Sequence, residues 1–196
     1  MVYFDYYLIG INIIGFLLFM INTWLYSHTK SGQVDAFLTI ISFMGGSAGI
    51  VLSMLLFDRK AVKGNMMSRV FVACMLVIQI VIVLIIHGFI KNDITVAFWD
   101  FFNEHKILIL YLIAINTLTI IAFAIDKINA ISHKSRIRIV TLLALAFFGG
   151  SIGALIAMYS FKHKIHKDYF TIGVPIILLM QIVVLFFVMN MNLKFW

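Results

Sequence analysis

The segment Ile139–Phe161, IVTLLALAFFGGSIGALIAMYSF, decides the fold class. It carries no charged side chain, and as one straight helix at about 1.5 Å per residue it reaches across the roughly 30 Å of hydrocarbon in a bilayer. Five further runs read the same way: Tyr6–Tyr26, Val34–Phe57, Val70–Ile90, Ile107–Ile125 and Phe170–Met189. The chain has 196 residues, is 63% hydrophobic and only 12% charged, and has a mean hydropathy of +1.09. A soluble domain needs about a quarter of its residues charged to cover its surface, so these values exclude one. The expectation is an all-α polytopic membrane protein with six transmembrane helices. The N-terminal Met1-Val2-Tyr3-Phe4-Asp5 shows no basic leader and no small-residue cleavage site, so the first run is expected to stay as a span.

Composition excludes further classes. The single cysteine, Cys74, lies in an apolar run and allows neither a disulfide framework nor a thiolate zinc cluster. A formal charge of +7 in such a chain points to loops beside anionic lipid rather than to nucleic acid. None of the six runs holds Asp, Glu, Lys or Arg in its interior, which counts against proton-driven or cation-driven transport. No Gly-rich phosphate loop, Ser-His-Asp order or zinc-protease motif occurs, and no cofactor is expected.

The opening segment has a counterpart. Tyr7–Lys60 falls on Tyr111–Lys164 without a gap: Tyr7-Leu8-Ile9 on Tyr111-Leu112-Ile113, Asn12 on Asn116, Gly45-Gly46-Ser47 on Gly149-Gly150-Ser151, and Gly49 on Gly153. After a two-residue deletion, Gln79 falls on Gln181. Such self-similarity predicts two three-helix repeats, 1–90 and 107–196, joined by a linker over 91–106. In the linker, Ile94, Phe98, Phe101, Phe102 and His105 recur at helical spacing, as in an amphipathic interfacial helix.

An odd number of crossings per repeat makes the two copies inverted about an axis in the membrane plane. On that count the cytoplasmic side carries Arg59, Lys60, Lys63, Arg69, Lys127, Lys134, Arg136, Arg138 and Lys194, against Lys30, Lys91, Lys106, Lys162, Lys164 and Lys167 outside. Nine against six favours both termini inside. The basic run Lys162–Lys167 is then left on the wrong side.

Three sets of residues are candidates for function. The second helix of each copy has a seam of small residues on one face, Ser42, Gly46, Gly49 and Ser53 in one and Ala146, Gly150, Gly153 and Ala157 in the other. Such seams let helix backbones approach closely and predict that these two helices cross. Alternatively, Gly45, Gly46, Gly49, Gly149, Gly150 and Gly153 loosen the helices and expose backbone to a substrate. Asn12, Asn116, Gln79 and Gln181 are neutral amides within apolar runs and must bond either a neighbouring helix or a ligand. The third set is the polar cluster Asp126, Lys127, Arg136, His163, Lys164 and His166. His163, His166 and Asp168 are potential metal ligands, yet the flanking lysines favour an anionic headgroup or phosphate instead, and no metal is expected.

Tyr111, Asn116, Phe123, Asp126-Lys127, Ala130, Arg136, the Gly149-Gly150-Ser151-x-Gly153-Ala154 string, Met158, Phe161, His163-Lys164, Phe170 and Pro175 together resemble a small bacterial membrane family, domain of unknown function 1294. The resemblance covers about Tyr111 to Pro175. The family pattern has Pro-Glu after an Arg-Ile pair, where this chain has Arg138-Ile139. The first copy keeps the glycines but has Asn22-Thr23 for Asp-Lys and Arg59-Lys60 for His-Lys. The resemblance implies a bacterial inner-membrane protein and supplies no activity.

Asp126, Lys127 and Arg136 precede the fifth run while His163 and Lys164 follow it. A spanning helix would hold them about 30 Å apart, and only a re-entrant Gly-Gly segment makes them one site. Three functions are therefore open. The first is a small transporter or permeation pathway for a solute or lipid headgroup at the repeat interface. The second is a membrane enzyme acting on a phosphorylated lipid, and the third a non-catalytic scaffold. The expected partners are the bilayer, anionic headgroups and, for a homo-oligomer, further copies of the chain.

Overall fold

The computed structural model describes residues 2–28, 35–58, 65–90 and 94–191. Lys30, Arg59, Lys60, Lys63, Lys91 and Lys194, which entered the charge count, and residues 91–93 of the linker lie outside the described residues. The elements are α1 (Val2–His28), α2 (Asp35–Ile41), α3 (Ser47–Phe57), α4 (Met66–Ile86), α5 (Phe98–Glu104), α6 (Lys106–Ile131), α7 (Ile139–Leu145), α8 (Ser151–Ser160), α9 (Asp168–Thr171) and α10 (Gly173–Asn190). Two wide corners, Ser42–Gly46 and Ala146–Gly150, join α2 to α3 and α7 to α8. Six helical segments are long and apolar enough to cross a membrane: Tyr3–Leu25, Phe37–Phe57, Met66–Ile86, Lys106–Ile131, Ile139–Ser160 and Asp168–Asn190. This is a multi-pass membrane protein. The chain divides into two compact units, Met1–Phe89 and Ile90–Trp196.

In the second unit, the Asp126 carboxylate near the end of α6 accepts the backbone N–H of Ile137, just ahead of α7, at 2.9 Å. The same carboxylate meets His163 at 2.9 Å and Lys164 at 2.7 Å, both just past α8. A straight helix over Ile139–Ser160 would separate these groups by about 30 Å. The segment is therefore a helical hairpin. It reverses at Phe148 (φ −85°, ψ 23°) and Gly149 (φ 115°, ψ −6°), a left-handed conformation that glycine adopts without steric cost.

Contacts with α6 give the direction of the second limb. The Tyr111 hydroxyl donates to the Phe148 carbonyl at the corner, and Lys127 Nζ donates to the Phe161 carbonyl at the other end. α8 thus runs alongside α6 in the same sense, and the hairpin reaches back along α6 for about 24 Å. α9 and α10 close the unit, with Phe170 of α9 against Phe123 at one end and Asn190 of α10 bonded to Thr95 at the other.

The first unit, taken by itself, has the same plan. Tyr7 donates to the Met44 carbonyl at 2.7 Å, and the Phe16 and Phe57 rings meet edge to face at 6.0 Å further along. α3 thus follows the direction of α1. Leu38, at the start of α2, shares a buried cluster with Phe19, Ile50, Met54 and Val72. α4 returns, starting with Arg69 on Asp58 at 2.8 Å and ending with His87 near Asp5 at 3.7 Å.

The hairpins bear on two expectations. The inverted three-plus-three arrangement rested on three straight spans per repeat, and a segment whose two ends meet at one carboxylate is not a straight helix. The glycine seams, expected to bring the two second helices together, each pack on the first helix of their own unit. A Cβ on Gly49 would lie 1.8 Å from the Asn12 carbonyl oxygen, and one on Gly153 would lie 2.4 Å from that of Asn116. In the linker, α5 forms over Phe98–Glu104 with no buried residue, and Phe101 stacks on His105 at 4.3 Å.

Candidate functional site

The four amides hold the corners. Asn116 donates from Nδ2 to the carbonyls of Leu112 (2.7 Å) and Gly149 (2.9 Å), and its Oδ1 accepts the Gly153 N–H at 2.6 Å. Gln181, from α10, donates to the carbonyls of Ala146 (2.7 Å) and Phe147 (3.0 Å) and accepts the Ser151 hydroxyl. The Ala146, Phe147 and Gly149 carbonyls and the Gly153 N–H flank the break at Gly149, and in an apolar surrounding each backbone group freed there must find a partner. In the first unit Asn12 bonds Leu8, Gly45 and Gly49 in the corresponding way, at 2.8, 3.0 and 2.8 Å, and Gln79 accepts the Ser47 hydroxyl. The serines follow each glycine pair, where the repeat makes them visible, yet sequence reasoning did not single them out.

The polar cluster assembles at the open end of the second hairpin, its mouth. Asp126 is fully buried and bound by Ile137, His163 and Lys164. The His163 and Lys164 side chains are 16% and 14% exposed. Lys164 also lies 4.9 Å from the centre of the Phe170 ring, and Phe170 packs edge to face on Phe123. Lys127 turns to the Phe161 carbonyl. Arg136 flanks Ile137 and is exposed, as is His166. Among the described residues no group of three or more His, Cys, Asp or Glu is placed to hold a metal ion. The arrangement is able to fix the imidazole of His163 by one nitrogen and to gather cations; among the described residues no hydroxyl or thiol is bonded to that imidazole.

The sequence model described as "Protein of unknown function (DUF1294)" matches residues 116–170. The uncharacterized protein YsdA of Bacillus subtilis (strain 168) is 33% identical over 75 residues, which cover 38% of this chain and 84% of that protein. The chain belongs to the DUF1294 family. The DUF1294 match starts at Asn116 and ends at Phe170, so it encloses the corner, the buried carboxylate and both stretches that the carboxylate ties. No solved structure matches the chain.

Asn190 was not anticipated. It is fully buried at the end of α10, accepts the Thr95 N–H at 2.7 Å and donates to the Thr95 and Phe186 carbonyls at 3.0 Å. Its place at the edge of the last apolar run gave no periodic signal.

Proposed function

We propose that this DUF1294 protein is a cytoplasmic-membrane protein whose hairpins are re-entrant, with mouths on the cytoplasmic side, and that the second unit provides a passive pathway for a small uncharged solute. In the first unit the mouth end holds Arg69 and, by sequence, Lys30, Arg59, Lys60 and Lys63, while the described residues at the other end, 2–5 and 86–90, hold no Lys or Arg. In the second unit the mouth end holds Lys127, Lys134, Arg136, Arg138, Lys162, Lys164 and Lys167, against Lys106 and, by sequence, Lys91 and Lys194 at the other end. Each unit by itself thus favours a cytoplasmic mouth and termini outside, reversing the earlier orientation. The basic run Lys162–Lys167 then needs no exception.

The observation that carries the pathway is the break at Gly149. Irregular backbone at membrane depth is tolerated where it is enclosed by protein or lines a polar cavity, and transporters place such breaks beside their solute. The amides then act through the corner they hold. In proteoliposomes, stopped-flow light scattering should show glycerol entry, with Asn116→Leu and Gln181→Leu each lowering the rate at least about tenfold. Unchanged rates in folded variants contradict the pathway and favour the scaffold.

A second reading has its own observation, the contact of Asp126 with His163. A buried carboxylate that orients an imidazole is the arrangement of a general base, and an enzyme on phosphorylated lipid would use it. That reading predicts phosphate release from a lipid phosphate, abolished in His163→Ala; release that persists in this variant contradicts it.

A further inference from the structure

We propose that the mouth of the second hairpin is a binding site for a phosphate group, carried by a lipid headgroup or by a soluble phosphate ester. Two stretches distant in sequence meet there. One carries Lys134, Arg136 and Arg138, the other Lys162, His166 and Lys167, and all six residues are exposed. Asp126 joins the stretches: Ile137, whose N–H it accepts, sits between Arg136 and Arg138, and His163, which it holds, follows Lys162. The charge of Asp126 is matched by Lys164, so it does not offset the exposed cations. The exposed acid beside them is Asp168.

Gathering five Lys and Arg side chains in this way is unfavourable, because like charges repel and the ion pair that gathers them loses hydration. His133 (φ 52°) and Lys162 (φ 47°) take the left-handed conformation that closes α6 and α8, with the Lys134 N–H on the Asn129 carbonyl at 2.9 Å and the His163 N–H on the Met158 carbonyl at 3.0 Å. Both stretches therefore leave their helices at the same end of the unit, which is what brings the cations together. A phosphate offsets the repulsion, and paired arginines supply the planar donor forks that fit its oxygens. The first unit has Asn22, which lacks the carboxylate's charge, at the position of Asp126, so the inference is confined to the second unit. The inference stands independently of the solute pathway.

The test uses the full chain in a neutral detergent. Native mass spectrometry measures binding of phosphatidic acid, and calorimetric titration measures binding of inorganic pyrophosphate. Arg136→Gln/Lys162→Gln should weaken binding about tenfold or more, and Lys167→Gln about threefold. Lys106→Gln, at the opposite end of α6, should stay within about twofold. Saturable binding of phosphatidic acid alone assigns the site to a lipid, of pyrophosphate alone to a soluble ester, and of both to the phosphate group itself. Absence of saturable binding to either ligand overturns the proposal, as does a Lys106→Gln loss equal to that of the mouth variants. The Lys167→Gln comparison decides the matter if the double variant is not recovered folded.

Discussion

Gly153→Ala should lower the stability of the second unit by about 3 kcal/mol, the upper part of the range for forcing an extra carbon into a close-packed contact. The added Cβ would sit 2.4 Å from the Asn116 carbonyl oxygen and 3.0 Å from the carbon atoms beside it. All three are helix backbone and cannot turn aside. α8 must move away from α6, which breaks the Gly153–Asn116 bond of 2.6 Å and loosens the Asn116 grip on Gly149. Gly49→Ala meets the Asn12 backbone at 1.8 Å and should cost the first unit at least as much. In detergent, a loss of this size lowers the unfolding midpoint by about 6–12 °C. Gly10→Ala is the control: nothing lies within 4 Å of its Cβ, and helix propensity makes the change neutral or favourable by up to about 1 kcal/mol. If Gly153→Ala and Gly10→Ala melt alike, the close approach of α8 to α6 is wrong.

Asp126→Ala should open the mouth of the second hairpin. It removes the acceptor of the Ile137 N–H and leaves Lys164 and His163 without their carboxylate. Breaking a buried ion pair from one side costs about 3–5 kcal/mol, and the residual exposure of the two bases places this case at the lower end. The stretches 132–138 and 161–167 then separate, and trypsin should cut at Lys134, Arg136 and Lys162 several times faster than in the parent chain. Asp126→Asn keeps an oxygen for Ile137 but loses the charge, so it should fall between the two. Asp100→Ala, in the exposed α5, should leave cleavage unchanged. Equal cleavage in the Asp126 and Asp100 variants would show that the carboxylate does not tie the stretches.

Much of this was legible in the sequence, for identifiable reasons. Length and hydropathy alone define the six apolar segments, because a bilayer imposes one length scale. The matched glycines and amides of the repeat are the residues that form and brace the two corners. What they could not reveal is that Gly149 takes φ 115° and turns the chain back, since Ile139–Phe161 satisfies the length criterion equally well as a straight span. The misplaced run Lys162–Lys167 was the one sequence signal of a hairpin, and it reads as such once the ends are counted on one side. A seam of small residues marks a face of close approach but does not name its partner; here Gly153 meets the Asn116 backbone and Gly49 that of Asn12. The Asp126–His163–Lys164 tie depends wholly on the turn and was accessible only as a condition upon it.

The most direct test of the hairpin is sidedness at its two ends. Single cysteines at Ser135 and His166, with Asn103 for the opposite side, are placed in a Cys74→Ala background and labelled in intact cells with an impermeant maleimide. A re-entrant hairpin with a cytoplasmic mouth predicts that Ser135 and His166 label only after the membrane is opened, while Asn103 labels from outside. Labelling of Ser135 and His166 from opposite sides would make Ile139–Ser160 a crossing helix and contradict the account.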